Sequence, residues 1–510
     1  MRTCGFKKRR GAFFLAAGRE GHFVIRASGI YMVGRALAAL LTIASIAIFS
    51  RLLAPADYGV YTLTITTSAL FNALFCTWVI QSVFRMYAEV PDRVRLQSSG
   101  LFALLLSGVL SALAALAVIL LSGRSITAEM TIGMLMLLSG YSVYEYSNVQ
   151  LTLQRRPALF VQLQLAKLLL TLALPLAAFF VSRRFDHFMF ALGLAYWLPL
   201  LIPRFLTWAD GVRPRHVDRT ILGHLARYGL PLSFSILLVQ LGTSLDRYIL
   251  GAKQGVDAVA GYAAGADIAI FSIGMMASSL SQAFYPRLLE LHSAQEGQEE
   301  RKLYSQYILL FVGLLLPSAV GLHFVADDLA WMITGKAIRA DAAISLGLFA
   351  ATAFFINLKS FVVDLRYQIA KRTVLPIVNA GVMIGLLFAG CFALIPAYGG
   401  AGAAWASLIA AAAGCTIAAL VSTRLPGTVS LPIADLGKIV VAVTAMAAIL
   451  HGIDRWSYGA TGWTVALVRL GVQIFAGIAV YCAILVATNF GPARLALSRV
   501  FVFRARRRPL

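Results

Sequence analysis

The feature of this sequence that most limits its fold is a succession of apolar runs, each about 20 residues long, between residues 30 and 488. A helix of about 20 residues crosses the roughly 30 Å hydrocarbon core of a bilayer. The chain has 510 residues, of which 60% are hydrophobic and 13% charged, and its mean hydropathy is +0.81. Such a chain cannot bury its apolar surface in a soluble globule. We therefore predict an all-α integral membrane protein that crosses the bilayer many times.

The apolar runs predict about fourteen transmembrane helices. We place them at residues 29–50, 60–84, 98–122, 129–152, 158–182, 186–208, 224–250, 258–284, 304–325, 342–364, 374–396, 400–422, 435–453 and 463–488. The fourth contains Glu145, and the tenth contains Lys359 and Asp364. We interpret these as charges that face a cavity. Because Asp364 follows Lys359 by five residues, the spacing does not favour an ion pair on an ideal helix.

The formal net charge of +22 indicates membrane topology rather than a nucleic-acid partner, because the basic residues occupy alternate loops. They include the segment GVRPRHVDRTILGHLAR (211–227) and the C-terminal FRARRRPL (503–510). The positive-inside rule places these loops and both termini in the cytoplasm. Arg183 and Arg184 are an exception, because they fall in a loop that we predict to be outside.

The remaining polar residues give little support for catalysis or a metal site. The seven histidines have no HxxxH spacing, the five cysteines have no CxxC spacing, and no GxxxxGK[ST] phosphate loop occurs. A membrane polymerase or glycosyltransferase would need a substantial outer loop with catalytic charges, and the longest predicted outer loop, 326–341, is short. We therefore predict a transporter, not an enzyme, with no cofactor other than a coupled Na⁺ or H⁺.

Two similar links indicate an internal repeat. RLLAPADYGVY (51–61) follows the first predicted helix, and RYILGAKQGVDAVAGYAAGADI (247–268) follows most of the seventh. Each runs from an arginine through aliphatic residues and a turn to a glycine and a tyrosine. The repeat predicts two six-helix lobes at residues 28–212 and 213–425, helices thirteen and fourteen within 426–490, and basic cytoplasmic tails at 1–27 and 491–510.

The order of several segments resembles a known family. FSRLLAPADYGVYTL (49–63), LQRRPALF (153–160), the segment from YGLPL to GADI (228–268) and YPRLLEL (285–291) are similar to the polysaccharide-transporter, O-antigen flippase-like branch of the multidrug/oligosaccharidyl-lipid/polysaccharide (MOP) exporter superfamily. The resemblance implies a V-shaped, MATE-like bundle of two lobes with alternating access. It also implies a polyprenyl-diphosphate-linked oligosaccharide as cargo, moved across the bacterial inner membrane for O-antigen, capsule or exopolysaccharide synthesis. The protein would act as a monomer beside a polymerase and glycosyltransferases.

Two other functions on the same fold stay open: an ion-coupled exporter of organic cations, and a flippase for lipid-linked peptidoglycan precursors. The cationic residues within the spans favour an anionic cargo over an organic cation, since an exporter of cations needs an acidic cavity.

Charged and polar residues within the spans are the site candidates. The predicted substrate cavity comprises Arg35, Lys167, Lys359, Glu145, Tyr141 and Tyr144, the last three within YSVYEYSNVQ (141–150). The predicted ion-coupling residues are Asp267, Asp364 and Glu145. We predict that Arg469 reaches the interface or pairs with an acidic residue.

The two links supply a predicted gate or turn motif, which comprises Arg51, Pro55, Asp57, Tyr58 and Gly59 in the first link and Asp246 and Arg247 in the second. We expect Pro55 and Gly59 to reverse the chain at the outer surface and Asp57 to cap the next helix. We expect Arg51 and Tyr58 to lie in the headgroup layer.

Overall fold

The structure is a computed structural model that describes residues 34, 37–87, 89–121, 127–370, 372, 374–425, 432–456 and 463–488. The two predicted tails and Arg35 lie outside these residues. Every regular element in the described part of the chain is helical. The all-α membrane fold is therefore confirmed, and the exact number of spans stays a prediction.

The main helices follow the apolar runs. In chain order they are α1 (Leu37–Leu52), α2 (Pro55–Met86), α3 (Arg93–Leu121), α4 (Ala128–Leu153), α5 (Pro157–Ser182), α6 (Phe185–Trp197), α7 (Arg219–Gly242), α8 (Leu245–Gln254), α9 (Val256–Ser293), α10 (Gly297–Phe324), α11 (Ala326–Ile333), α12 (Lys336–Ile369), α13 (Val374–Ser422), α14 (Ile433–Trp456) and α15 (Trp463–Ala487). Ten of the described helices are long and apolar enough to cross a membrane, which makes this a multi-pass membrane protein.

Two predicted helices are interrupted. The sixth was expected to run to residue 208, but α6 ends at Trp197 and short 3₁₀ turns continue from Leu198 to Ala209. Pro199 and Pro203 explain this, because proline donates no backbone hydrogen bond and does not continue an α-helix. The seventh is divided into α7 and α8 after Gly242.

Helix α13 is a helical hairpin made of the predicted eleventh and twelfth spans. Gly399 has a non-helical backbone (φ 58°, ψ −135°) that breaks it in the middle. The Asn379 side-chain amide donates to the Gly414 carbonyl at 3.0 Å. A Cβ atom at Gly402 would lie 2.3 Å from the Leu394 carbonyl oxygen. These contacts join residues on opposite sides of the break, so the two halves are antiparallel.

The described residues form two compact units. Unit 1 contains the described residues as far as Ser45 and Thr64–Gln240, and unit 2 contains Ile46–Leu63 and the described residues from Leu241 onward. The tip of the α1–α2 hairpin therefore groups with unit 2. The lobe boundaries drawn from the repeat stay predictions.

Each unit has its own buried core. In unit 1, Tyr146 and Trp208 meet edge to face with ring centroids 5.0 Å apart, among buried aliphatic residues of α2 and α3. In unit 2, Tyr262 and Phe349 meet in the same way at 5.4 Å, beside the buried alanines of α9 and α13. Small residues at helix contacts are typical of membrane proteins, where close packing and not water exclusion holds helices together.

Candidate functional site

Unit 1 places an aromatic pair around one lysine. The Lys167 Nζ atom on α5 lies 5.0 Å from the ring centroid of Tyr144 on α4 and 5.2 Å from that of Tyr196 on α6. Tyr141 lies against Tyr196 with ring centroids 6.0 Å apart. Gly140 permits this approach, because a Cβ there would lie 2.8 Å from the Cβ of Tyr196. The ammonium group thus lies at cation–π distance from two rings.

Glu145 completes this group of side chains, which we call the Lys167 site (Tyr141, Tyr144, Glu145, Lys167, Tyr196). Glu145 and Lys167 are close enough to interact electrostatically. No ion pair at contact distance involves either of them among the described residues. The Lys167 ammonium group therefore contacts aromatic rings instead of a carboxylate among the described residues, and these rings offer faces for stacking. Four of these residues were predicted as cavity residues; Tyr196 was not.

Unit 2 contains a second buried group around Asp246. Asp246 accepts hydrogen bonds from the Tyr262 hydroxyl at 2.5 Å, the Ser407 hydroxyl at 2.8 Å and the Arg247 backbone N–H at 2.8 Å. Arg247 pairs with Asp267 at 2.5 Å. The two carboxylates and one guanidinium of this group leave one negative charge in excess when both acids are ionised.

A small cavity opens beside Asp246. Its volume is about 30 Å³, and Thr243, Thr352 and Ser407 are among the residues that line it. A cavity of this size holds a water molecule or a small ion. Asp246 was predicted as part of a gate, and Tyr262 and Ser407 were not predicted. Tyr262 belongs to the second repeated link, but Ser407 comes from α13, 161 residues from Asp246, so spacing offered no signal for it.

Lys359 and Asp364 form an ion pair that sequence spacing argued against. Residues Leu358–Val363 are π-helical, and the Lys359 Nζ atom lies 2.8 Å from the Asp364 carboxylate. A π-helix brings residues i and i+5 together, as an α-helix does for i and i+4. On α10, the Tyr304 hydroxyl donates to the Val362 carbonyl at 2.9 Å and the Tyr307 hydroxyl to the Phe361 carbonyl at 3.1 Å. Lys359 is thus neutralised in this structure and is a weaker cargo candidate than Lys167.

The first link differs from the expected turn. Helix α2 begins at Pro55, so Asp57 lies in its first turn rather than at its cap, where a carboxylate still favours the helix dipole. Gly59 lies within the helix and serves close packing, because a Cβ there would be 1.8 Å from the Val256 carbonyl oxygen. Tyr58 is 1% exposed, so its side chain is packed within the protein. The Arg51 guanidinium donates to the Met332 carbonyl.

The structure thus divides the predicted residues into separate groups. Tyr141, Tyr144, Glu145 and Lys167 come together in unit 1, while Asp246, Arg247 and Asp267 come together in unit 2, as do Lys359 and Asp364. Arg469 is bound by both oxygens of Asp328, with the Nε atom at 2.6 Å from Oδ2.

Comparisons with known proteins place this chain in a family. The model for the family described as polysaccharide biosynthesis protein matches residues 48–340. No curated protein sequence matches the chain. Among solved structures, the lipid II flippase MurJ in an inward closed conformation is similar with a TM-score of 0.70 and 15% identity, covering 89% of this chain and 97% of MurJ.

Two further structures are similar at lower scores. An inward-facing multidrug resistance MATE family transporter of the MOP superfamily has a TM-score of 0.56 and 16% identity, covering 77% of this chain and 97% of its own. A MOP superfamily transporter from Pyrococcus furiosus, described as having reverse polarity of its binding pocket, has a TM-score of 0.57 and 16% identity, covering 78% and 94%. At such identities the similarity shows the fold. Since the family model spans more than half of the chain, the protein belongs to the polysaccharide biosynthesis protein family, on the fold of MOP superfamily transporters.

Proposed function

We propose that the protein is a flippase that moves a polyprenyl-diphosphate-linked oligosaccharide from the cytoplasmic to the outer leaflet of the bacterial inner membrane by alternating access. The product would serve the assembly of O-antigen, capsule or exopolysaccharide. The observation that supports this most directly is the Lys167 site, in a member of a polysaccharide biosynthesis family. A diphosphate needs a cation within the membrane, and sugar rings pack on aromatic faces.

The two alternatives from the sequence account for the structure less well. An exporter of organic cations needs an acidic cavity, whereas the Lys167 site holds an ammonium group among tyrosine rings. A peptidoglycan-precursor flippase would also need a diphosphate site. The similarity to MurJ concerns the fold alone, while the family match favours polysaccharide assembly.

The energy source in this proposal is a Na⁺ or H⁺ gradient that acts on a buried carboxylate. Two of the predicted ion-coupling residues are already paired, Asp267 with Arg247 and Asp364 with Lys359. Glu145 is therefore the strongest ion-coupling candidate of the three. Asp246 is a second candidate, because a small cavity lies beside it. We further propose a monomer with cytoplasmic termini that works beside a polymerase and glycosyltransferases.

The experiment that tests the flippase proposal uses a deletion strain and two readouts: surface polysaccharide on a gel, and the leaflet location of polyprenyl-linked intermediates. Restoring the wild-type gene should restore polymer, while Lys167→Met should lower flipping about tenfold, equal to ~1.4 kcal/mol of lost stabilisation. Lys167→Arg should retain part of the activity because it keeps the charge.

The matched control is Lys302→Met, which removes an exposed lysine that pairs with Glu299 at the surface. It should leave flipping unchanged. Intact polymer in the deletion strain would overturn the proposal, as would full flipping by a folded Lys167→Met protein. Intact polymer with sensitivity to cationic drugs would move the protein to the exporter function.

A further inference from the structure

The short 3₁₀ turns that follow α6 expose large apolar side chains at one end of unit 1. They occupy residues 198–209. Some of their side chains are buried and attach the segment to the protein: Leu200, Phe205 and Trp208. Leu201 and Ile202 point outward instead and are 68% and 40% exposed. In a membrane protein, aliphatic side chains in such a position contact lipid chains.

Three exposed arginines lie at the same end of unit 1. Arg204 follows the two exposed aliphatic residues, and Arg155 and Arg156 form the link between α4 and α5. The Thr207 hydroxyl donates to the Gln154 side-chain oxygen at 3.2 Å, which joins the 3₁₀ segment to this link. The guanidinium groups therefore belong to one surface.

The charges of these three arginines are not compensated by acidic residues. None of the three forms an ion pair with a carboxylate in the part of the chain that the structure describes. Arginines in the neighbouring link between α2 and α3 differ: Arg85 pairs with Glu89 at 2.8 Å, and Arg95 pairs with Asp92 at 3.1 Å. The three arginines thus offer positive charge to a partner outside the protein.

The surroundings of this surface favour a lipid as that partner. Helix α5 begins directly after Arg156, and only 6% of its most apolar stretch is buried inside the protein, so lipid chains cover most of it. Arginine binds phosphate oxygens through two parallel N–H groups. Basic residues at the cytoplasmic membrane surface attract anionic lipids, and both links are predicted to be cytoplasmic. A free phosphate ion would not need the exposed aliphatic side chains.

We propose that Arg155, Arg156 and Arg204 bind the phosphate of an anionic phospholipid of the cytoplasmic leaflet, while Leu201 and Ile202 contact its acyl chains. We call these five residues the lipid rim. The lipid is a partner distinct from the transported cargo. Its binding requires no transport step and holds whichever cargo the protein moves.

Native mass spectrometry of the purified full-length protein tests the lipid rim. Phosphatidylglycerol is the anionic probe, and phosphatidylcholine is the reference without net charge. The triple variant Arg155→Gln, Arg156→Gln, Arg204→Gln should bind its first phosphatidylglycerol at least about tenfold more weakly than wild type and bind phosphatidylcholine equally well. Arg204→Gln alone should weaken binding about fivefold and is the milder change if the triple variant does not fold.

The matched control is the triple variant Arg85→Gln, Arg93→Gln, Arg95→Gln. It removes the same charge from another predicted cytoplasmic link, where the arginines already have partners: Glu89, the Tyr87 carbonyl and Asp92. Its affinity for phosphatidylglycerol should stay within about twofold of wild type. Equal weakening in the two triple variants would overturn the proposal, because it would indicate a general effect of net charge. Wild-type binding by the folded lipid-rim variants would also overturn it.

A competition experiment separates a lipid from a free phosphate ion. Excess inorganic phosphate should not displace phosphatidylglycerol from the wild-type protein, and Leu201→Gln together with Ile202→Gln should weaken lipid binding. Displacement by phosphate, or unchanged binding in this double variant, would overturn the assignment to a lipid. Because no polyprenyl-linked cargo is present, the result is independent of the flippase proposal.

Discussion

At the scale of single residues, the contact between Arg469 and Asp328 shows how charge is accommodated within a span. Asp328 is 3% exposed and receives both arms of the Arg469 guanidinium. Bidentate pairing of this kind is stronger than a point contact and fixes the two side chains in one geometry. The predicted acidic partner of Arg469 is thus a residue 141 positions earlier, in the short helix α11.

Removing Arg469 should be costly because it leaves the Asp328 carboxylate buried without its partner. We expect Arg469→Ala to destabilise the protein by about 3–5 kcal/mol, measured by thermal unfolding in detergent. Adding Asp328→Asn should recover part of the loss. Arg287→Ala, which breaks an exposed pair with Glu290, should change stability by less than about 1 kcal/mol. Equal melting temperatures for Arg469→Ala and Arg287→Ala would contradict the expectation.

Three of the predicted cavity residues that the structure groups together also lie close along the chain. Tyr141, Tyr144 and Glu145 share one stretch, and their mid-span position marked them as polar residues with a role. Ser407 and Tyr196 could not be found in this way, because each is an ordinary residue in an apolar run. Their importance comes from contacts made across 161 residues in the first case and between α4 and α6 in the second.

At the scale of elements, the π-helical segment of α12 explains a failed expectation. Sequence spacing treats every helix as α-helical, so Lys359 and Asp364 appeared to lie too far apart around the axis. The wider turn brings them together, and the hydroxyls of Tyr304 and Tyr307 bind two carbonyls of the segment. A local change of helix type is invisible in hydrophobic periodicity, since the apolar run continues through it.

The ion pair should stabilise this segment cooperatively. We expect Lys359→Met to destabilise the protein by about 3–5 kcal/mol, because Asp364 stays buried without its cation. The double variant Lys359→Met, Asp364→Leu should lose much less, since an apolar pair replaces both charges. A double-mutant cycle of unfolding free energies measures the coupling. A coupling energy near zero would mean that the pair does not stabilise the π-helical segment.

At the scale of the whole molecule, contacts within unit 2 join segments that the predicted topology places on the same side of the membrane. The predicted outer loop 326–341 contacts the predicted outer ends of two spans. The Gly335 N–H donates to the Ser50 hydroxyl at the end of the first span at 3.1 Å, and Asp328 binds Arg469 of the last span. One of the two arginines that depart from the predicted positive-inside pattern has acidic partners. Arg184 is paired with Asp186 at 3.0 Å and Glu129 at 3.3 Å, which offsets its charge.

Cysteine accessibility tests this topology. In a variant without native cysteines, we expect Lys336→Cys to react with a membrane-impermeant maleimide in intact cells, because it is exposed on a predicted outer loop. Gln295→Cys, exposed on a predicted inner loop, should react only after the membrane is opened. The cysteine-free parent provides the background. Labelling of Gln295→Cys alone in intact cells would reverse the orientation.

The sequence predicted the fold class and most spans of the whole molecule, because bilayer thickness imposes a length that composition reveals directly. It did not predict the interruption at Gly242, nor the end of α6 at Trp197. Both interruptions lie inside apolar stretches, where a hydropathy window averages over a broken backbone. The two repeated links were recognised, but their packing against each other at Gly59 and Val256 required the structure.

The grouping of Ile46–Leu63 with unit 2 bears on the order in which the protein is made. The Ser50 hydroxyl binds Gly335, which is synthesised 285 residues later. At about 5–20 residues per second, the hairpin tip must wait roughly 15–60 s for this partner. Unit 2 therefore does not assemble only from residues made after unit 1. An early segment of the nascent chain is inserted in the bilayer first, and it stays without its partners until the ribosome has made much of unit 2.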